Sequence, residues 1–199
     1  DSAPLKDIAD LCQKYDAHWV VDEAHSTGIF GDHGQGLCHE LGLAERATAI
    51  IYTFSKGMGI HGACICGSEE LKNYLINFSR PFIYTTAPSA FELISIQCAF
   101  EQLKSKPSLN LNLQSKMSLF NELMPDYASP SAIKSVVIGG NETTKKASQF
   151  LTEKGMDVRP ILSPTVKHGT ERLRICLHTY NSEAEINLLC QQLNFIKEL

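Results

Sequence analysis

Two apolar runs that end abruptly in polar side chains constrain this chain more than any other feature. Ala49-Ile50-Ile51-Tyr52 passes into Thr53-Phe54-Ser55-Lys56, followed by Gly57, Gly59 and Gly62. Thirty-four residues before Lys56, His18-Trp19-Val20-Val21 ends in Asp22-Glu23-Ala24-His25. Short apolar runs rich in β-branched residues and bounded by glycine predict buried strands. Helix and strand alternate through the first hundred residues, which predicts an α/β fold with a mostly parallel sheet covered by helices. Ligands of such sheets sit beyond the carboxyl ends of the strands. There the chain delivers a carboxylate, an imidazole and a lysine, which suggests a cofactor pocket and a lysine that forms a Schiff base.

Spacing places the remaining elements. Asp1-Ser2-Ala3-Pro4 reads as the cap of a first helix with Leu5, Ile8, Ala9, Cys12 and Tyr15 on one stripe. A chain opening on such a junction reads as a piece of a longer protein. Strands are expected at 17–22, 48–53 and 62–67, with a glycine-rich loop after the first. A helix follows through Leu71–Phe78, and Ser89 with Glu92 forms a capping box for a long one. The polar stretch Lys104-Ser105-Lys106-Pro107-Ser108 is the expected boundary between domains 1–104 and 105–199. The second domain reads as a smaller α+β unit. It holds a helix, a strand at 133–138, a helix from 142 that stops at Gly155, and a strand at 172–177. Ser182 and Glu185 cap a last helix with Ile186, Leu189, Cys190, Leu193 and Ile196 on its stripe.

A net charge of −4 leaves no basic face for nucleic acid, and no apolar run approaches bilayer length. The seven cysteines show no CxxC spacing and fall mostly in apolar segments. They are expected to be reduced thiols of a cytoplasmic protein, packed as small hydrophobes and not bound to a metal.

An isolated Asp22 most often caps a turn, His25 is most often a loop histidine, and Lys56 a solvated strand-end lysine. One pyridine-ring cofactor accounts for all three together. Pyridoxal 5′-phosphate needs an amine for its aldehyde, a carboxylate facing its ring nitrogen, a donor near its hydroxyl and hydroxyls for its phosphate. Asp22, His25, Lys56 and the hydroxyls of Thr53 and Ser55 are groups of those kinds. An aspartate ending an apolar run is also expected to lose water. Gly57-Met58-Gly59-Ile60-His61-Gly62 matches the dinucleotide pattern G-x-G-x-x-G, yet a strand follows it where a helix is required. In Glu171-Arg172-Leu173-Arg174-Ile175-Cys176, alternation puts both arginines on one face, where a planar fork can clamp a carboxylate.

These motifs together resemble the α-oxoamine synthases, a branch of the fold-type-I pyridoxal phosphate enzymes. The resemblance rests on Asp22-Glu23-Ala24-His25-Ser26-Thr27-Gly28 with Gly31, Gly34 and Gly36, on Thr53-Phe54-Ser55-Lys56-Gly57, and on Ile83-Tyr84-Thr85-Thr86. Pro164-Thr165-Val166 and Arg172-Leu173-Arg174 continue it in family order. It implies that the chain is the C-terminal part of the family's large domain followed by its small domain. It further implies that Lys56 holds the cofactor, Asp22 faces the ring nitrogen, His25 the ring hydroxyl and Thr53 the phosphate. Thr86 would serve the site of a second subunit in a homodimer. Thr165 would contact substrate, and Arg174 would hold its carboxylate.

The implied reaction is a decarboxylative condensation of an L-amino acid with an acyl thioester to an α-aminoketone. The Lys56-Gly57-Met58-Gly59 stretch and Leu75–Arg80 are most similar to the branch that joins alanine to a pimeloyl thioester in biotin biosynthesis. Ala87-Pro88-Ser89-Ala90 departs from the double proline common at this point, which leaves the acyl chain open. Sister branches making 2-amino-3-oxobutyrate, 5-aminolevulinate or a sphingoid base are the alternative, as is a non-catalytic dimerisation module. The resemblance covers only half of such an enzyme. The ring-stacking histidine and the glycine-containing phosphate loop belong to the other half, so this chain alone is expected to be inactive.

Overall fold

In a computed structural model, which describes residues 2–197, the chain forms two compact units, Asp1–Asn110 and Leu111–Leu199. Asp1 of the expected opening cap lies outside the described residues. The polar stretch 104–108 holds the break between two helices, and the division into units falls a few residues later, at Asn110. Pro107 ends one helix but the next begins at once, and Asn110 Nδ2 donates to Gly31 O at 2.7 Å, tying that helix's first turn to the first unit.

The first unit begins with helix α1 (Leu5–Lys14) and strand β1 (Val20–Asp22), and a long loop leads to the single turn α2 (Leu37–Glu40). Strands β2 (Ala49–Thr53) and β3 (Ala63–Gly67) follow, then helices α3 (Glu69–Phe78), α4 (Arg80–Ile83) and α5 (Ala90–Ser105). The sheet order is β1-β2-β3. β1 and β2 run parallel; β2 and β3 run antiparallel, because the loop between them is too short for a crossover. The expected parallel character is thus met by one pairing of two.

Leu5 and Ala9 of α1 are buried with Trp19, Val21, Cys38, Leu43 and Ile50, the core beneath one face of the sheet. Tyr15 drops off the expected stripe, since α1 ends before it and its ring is exposed. β1 is shorter than 17–22 because Ala17 and His18 precede the pairing that starts at Val20 with Ala49.

The second unit takes up helix α6 (Ser108–Leu123), then β4 (Ile133–Val137), α7 (Asn141–Glu153), β5 (Arg159–Ile161), β6 (Arg172–Cys176) and α8 (Glu183–Lys197). Its sheet has the order β4-β6-β5 and is wholly antiparallel. β5 was not expected: three residues including Pro160 carry almost no strand signal, and pairing to β6 alone defines it. Phe120, Val136, Leu151, Leu173, Ile186 and Leu193 fill the core. Lys134 is buried with them, its Nζ donating to Asn121 Oδ1 at 2.7 Å and Ser129 O at 2.6 Å. Burial pushes its amine down to about 8.

All seven cysteines are free, but only Cys38 and Cys190 are buried, while Cys66, Cys98 and Cys176 are exposed. The expectation of buried thiols therefore fails for most of them, because α5 and the outer face of β6 are uncovered and β3 is the edge strand of its sheet. No helix among the described residues is long and apolar enough to cross a membrane.

Candidate active site

Asp22 pairs with Ile51 across the parallel β1–β2 ladder. Side chains alternate along a strand, so Asp22, Ile51 and Thr53 share one face. Val21, Ile50 and Tyr52 occupy the other, packed into the core. Asp22 and Thr53 thus end adjacent strands on the same side, with Thr53 roughly 7 Å further along. The expected desolvation of Asp22 is not found. Its carboxylate is exposed, and Oδ1 accepts the N–H of Ala24 at 2.9 Å in a local turn. β1 is an edge strand of its sheet.

The loop after Asp22 is organised by Glu23, a buried carboxylate that sequence reading passed over. Its Oε1 accepts from Cys38 N at 2.6 Å and its Oε2 from Leu37 N at 3.0 Å, which caps α2. Its carbonyl accepts Ser26 N, Thr27 N and the Thr27 hydroxyl, so one residue holds both ends of the loop. His25 is exposed within that first turn. Burial, then the Glu23 charge, push the Cys38 thiol and the Tyr52 phenol up to about 12.

Phe54 is buried against Phe100, with ring centres 5.5 Å apart, and starts the tight β2–β3 turn. Ile60 N donates to Phe54 O and Gly59 N to Lys56 O, both at 3.0 Å, leaving Lys56 exposed on the turn. Gly57 seats this turn directly on Thr27-Gly28: a Cβ there would run into Thr27 O. On the other side of that stack, a Cβ on Gly34 would lie 2.8 Å from Gly28 Cα. The glycines therefore let the Lys56 turn and the His25 loop touch backbone to backbone. The G-x-G-x-x-G match is this hairpin turn, followed by β3.

Asp22, His25, Thr53 and Lys56 are thus brought to one end of the first unit's sheet. Thr86 stands in the same unit on the exposed stretch between α4 and α5. Thr165 and Arg174 belong to the second unit. Thr165 is exposed in the loop between β5 and β6, after a cis Ser163–Pro164 bond. Leu173 and Ile175 point into the core and Arg174 outward, the alternation expected of β6. Arg174 lies opposite Ser135 and Arg159 and borders a groove of about 620 Å³ with Cys176, His178 and Tyr180. Among the described residues, no three His, Cys, Asp or Glu side chains converge as a metal site.

The profile of the family described as aminotransferase class I and II matches residues 1–193. The chain belongs to that family. Family members named 8-amino-7-oxononanoate synthase are similar to it throughout. The one from Anaeromyxobacter dehalogenans is 34% identical over 94% of this chain and 48% of its own length. The one from Marinobacter nauticus is 35% identical over 97% of this chain and 50% of its own. The chain spans about half the length of these curated relatives. Among solved structures, 8-amino-7-oxononanoate synthase from Francisella tularensis superposes with a TM-score of 0.82 at 26% identity, covering 96% of this chain and 57% of the other. Serine palmitoyltransferase from Sphingomonas wittichii reaches 0.91 at 23% identity, covering 100% and 51%, which shows the shared α/β fold.

Proposed function

We propose that this chain carries the lysine-bearing half of a pyridoxal 5′-phosphate-dependent acyltransferase of the 8-amino-7-oxononanoate synthase type. The reaction joins an L-amino acid, alanine, to an acyl thioester, pimeloyl-CoA or pimeloyl-ACP, releasing CO2 and the thiol and giving the α-aminoketone used in biotin biosynthesis. We assign the enzyme to the cytoplasm and to a homodimer. One observation supports the reading: a carboxylate and a hydroxyl end a parallel strand pair, and the loops that bear an imidazole and an amine follow those strand ends and touch backbone to backbone at Gly57. That donor set fits the cofactor group for group.

Lys56 would hold the cofactor's aldehyde through Nζ, and the same amine would take the proton from the substrate Cα. Asp22 would keep the ring nitrogen's proton in place. His25 would donate to the ring hydroxyl, and Thr53 would bond the phosphate. The cofactor, when bound, supplies the electron sink that makes a Cα proton removable. Thr86 would contact the phosphate in the second subunit's site. Arg174 would clamp the substrate carboxylate in bidentate fashion, with Thr165 against the same substrate.

Borohydride treatment after addition of pyridoxal phosphate, followed by peptide mass analysis, is expected to mark the Lys56 peptide and to mark nothing in Lys56→Ala. A mark on another lysine, or none at all, rejects the reading of Lys56. The serine palmitoyltransferase type is the second reading, left open by Ala87-Pro88-Ser89-Ala90, whose departure from the double proline common at this point leaves the acyl chain undecided. Turnover of serine with a long-chain acyl thioester in preference to alanine with a pimeloyl thioester would favour it.

A further inference from the structure

Glu171 is wholly buried at the residue before β6. Gly140 N, at 2.8 Å, and Gly169 N, at 2.9 Å, both donate to its Oε2, while Oε1 accepts no hydrogen bond. Its backbone carbonyl accepts Ile138 N at 2.9 Å and Gly139 N at 3.0 Å. Next along the same turn, Asn141 reaches the other end of the β5–β6 loop. Its Oδ1 accepts Ser163 N at 2.9 Å and its Nδ2 donates to Ser163 O at 3.3 Å. The loop is therefore pinned at Ser163 and at Gly169 by two side chains of the second unit that meet at the 139–141 turn, and Thr165 lies between the pins. Burying a carboxylate on two backbone donors is costly. Here the cost is met where it secures a loop whose own side chains at Thr165, Lys167 and His168 are exposed.

We propose that Glu171 and Asn141 are positioning residues that hold the 162–170 loop, and Thr165 with it, in one conformation before substrate arrives. This rests on reading Thr165 as a substrate contact. A loop ordered in advance loses less freedom on binding, so the gain is in substrate affinity. Because one oxygen accepts both N–H groups, geometry and charge can be separated. A glutamine can offer its carbonyl in the place of Oε2 and keep both bonds, whereas alanine removes them.

Amide exchange read by mass spectrometry on the full chain tests this. Asn141→Ala and Glu171→Ala are expected to speed exchange within 162–170 by about tenfold or more, with Glu171→Gln close to the parent and the α8 core unmoved. Unchanged exchange in the loop overturns the proposal. So does an equal rise in α8, which would make Glu171 a general stability residue. Asn141→Ala alone decides the matter if Glu171→Ala does not fold. In the competent enzyme, Asn141→Ala is expected to raise KM for the amino acid with little change in kcat. A mobile loop with unchanged KM overturns the positioning role. Thr165→Val is read separately: its failure to move KM rejects Thr165 as a substrate contact, whatever the exchange result.

Discussion

Helices α5 and α8 begin from the same local device and finish in opposite surroundings. Ser89 and Glu92 form a complete capping box on α5, and Ser182 with Glu185 does the same on α8. α8 buries Ile186, Leu189, Cys190 and Leu193. α5 buries nothing, and Phe91 and Ile94 are 79% and 59% exposed although its sequence is apolar on nearly every side. A helix apolar all round is normally an interior helix. The difference teaches that capping and propensity make a helix locally, whereas burial must be supplied by other elements. The contrast extends beyond one helix, since no residue from Ser55 to Asn112 is buried.

The sharpest way to break this comparison is to truncate one side chain in each helix. Leu193→Ala is expected to lower unfolding free energy by about 2–5 kcal/mol, and Ile94→Ala by less than about 0.5 kcal/mol. Denaturant titration of both variants checks it. Equal losses would mean that α5 is covered in solution.

Thiol chemistry offers the next largest contrast. Burial pushes the Cys190 thiol on α8 up to about 11, while Cys98 on α5 is exposed. Alkylation at neutral pH, followed by mass spectrometry, is expected to modify Cys98 at least about a hundredfold faster.

A third prediction concerns the packed unit alone. Lys134 titrates near 8 when folded and at its ordinary 10.5 when unfolded. The unfolded chain therefore binds more protons between those values, so stability rises with pH across that window. Lys134→Met is expected to flatten that rise, as measured by urea unfolding at pH 7.5, 9 and 10.5. An identical slope in both proteins would show that the amine is not buried in solution.

The smallest expected effect is at the caps. Ser89→Ala and Ser182→Ala should each cost about 1 kcal/mol of helix stability, read by amide exchange in the first turns. If only Ser182→Ala has an effect, α5 is not formed as an independent helix.

Most elements were legible from spacing because their signals are local: capping boxes, a helix stop at Gly155, and apolar runs of strand length. The misses have physical causes. β5 exists only through its partner, and α2 is capped by the Glu23 carboxylate from fourteen residues away. Within the candidate site, Asp22, His25, Thr53 and Lys56 stood out because reactive side chains close two apolar runs. Glu23 and Glu171 did not, since a buried carboxylate held by backbone N–H groups looks in sequence like any surface glutamate.

Residue order by itself determined which side chains end which strands, because alternation along a strand follows from backbone geometry alone. It also set where helices start and stop, since a cap and its partner lie three residues apart. Only the folded chain decided that β1 and β2 run side by side in register, that Gly57 rests on Thr27, and that α5 lies open while α8 is buried. Those outcomes depend on contacts between residues far apart in sequence, and no local pattern encodes them.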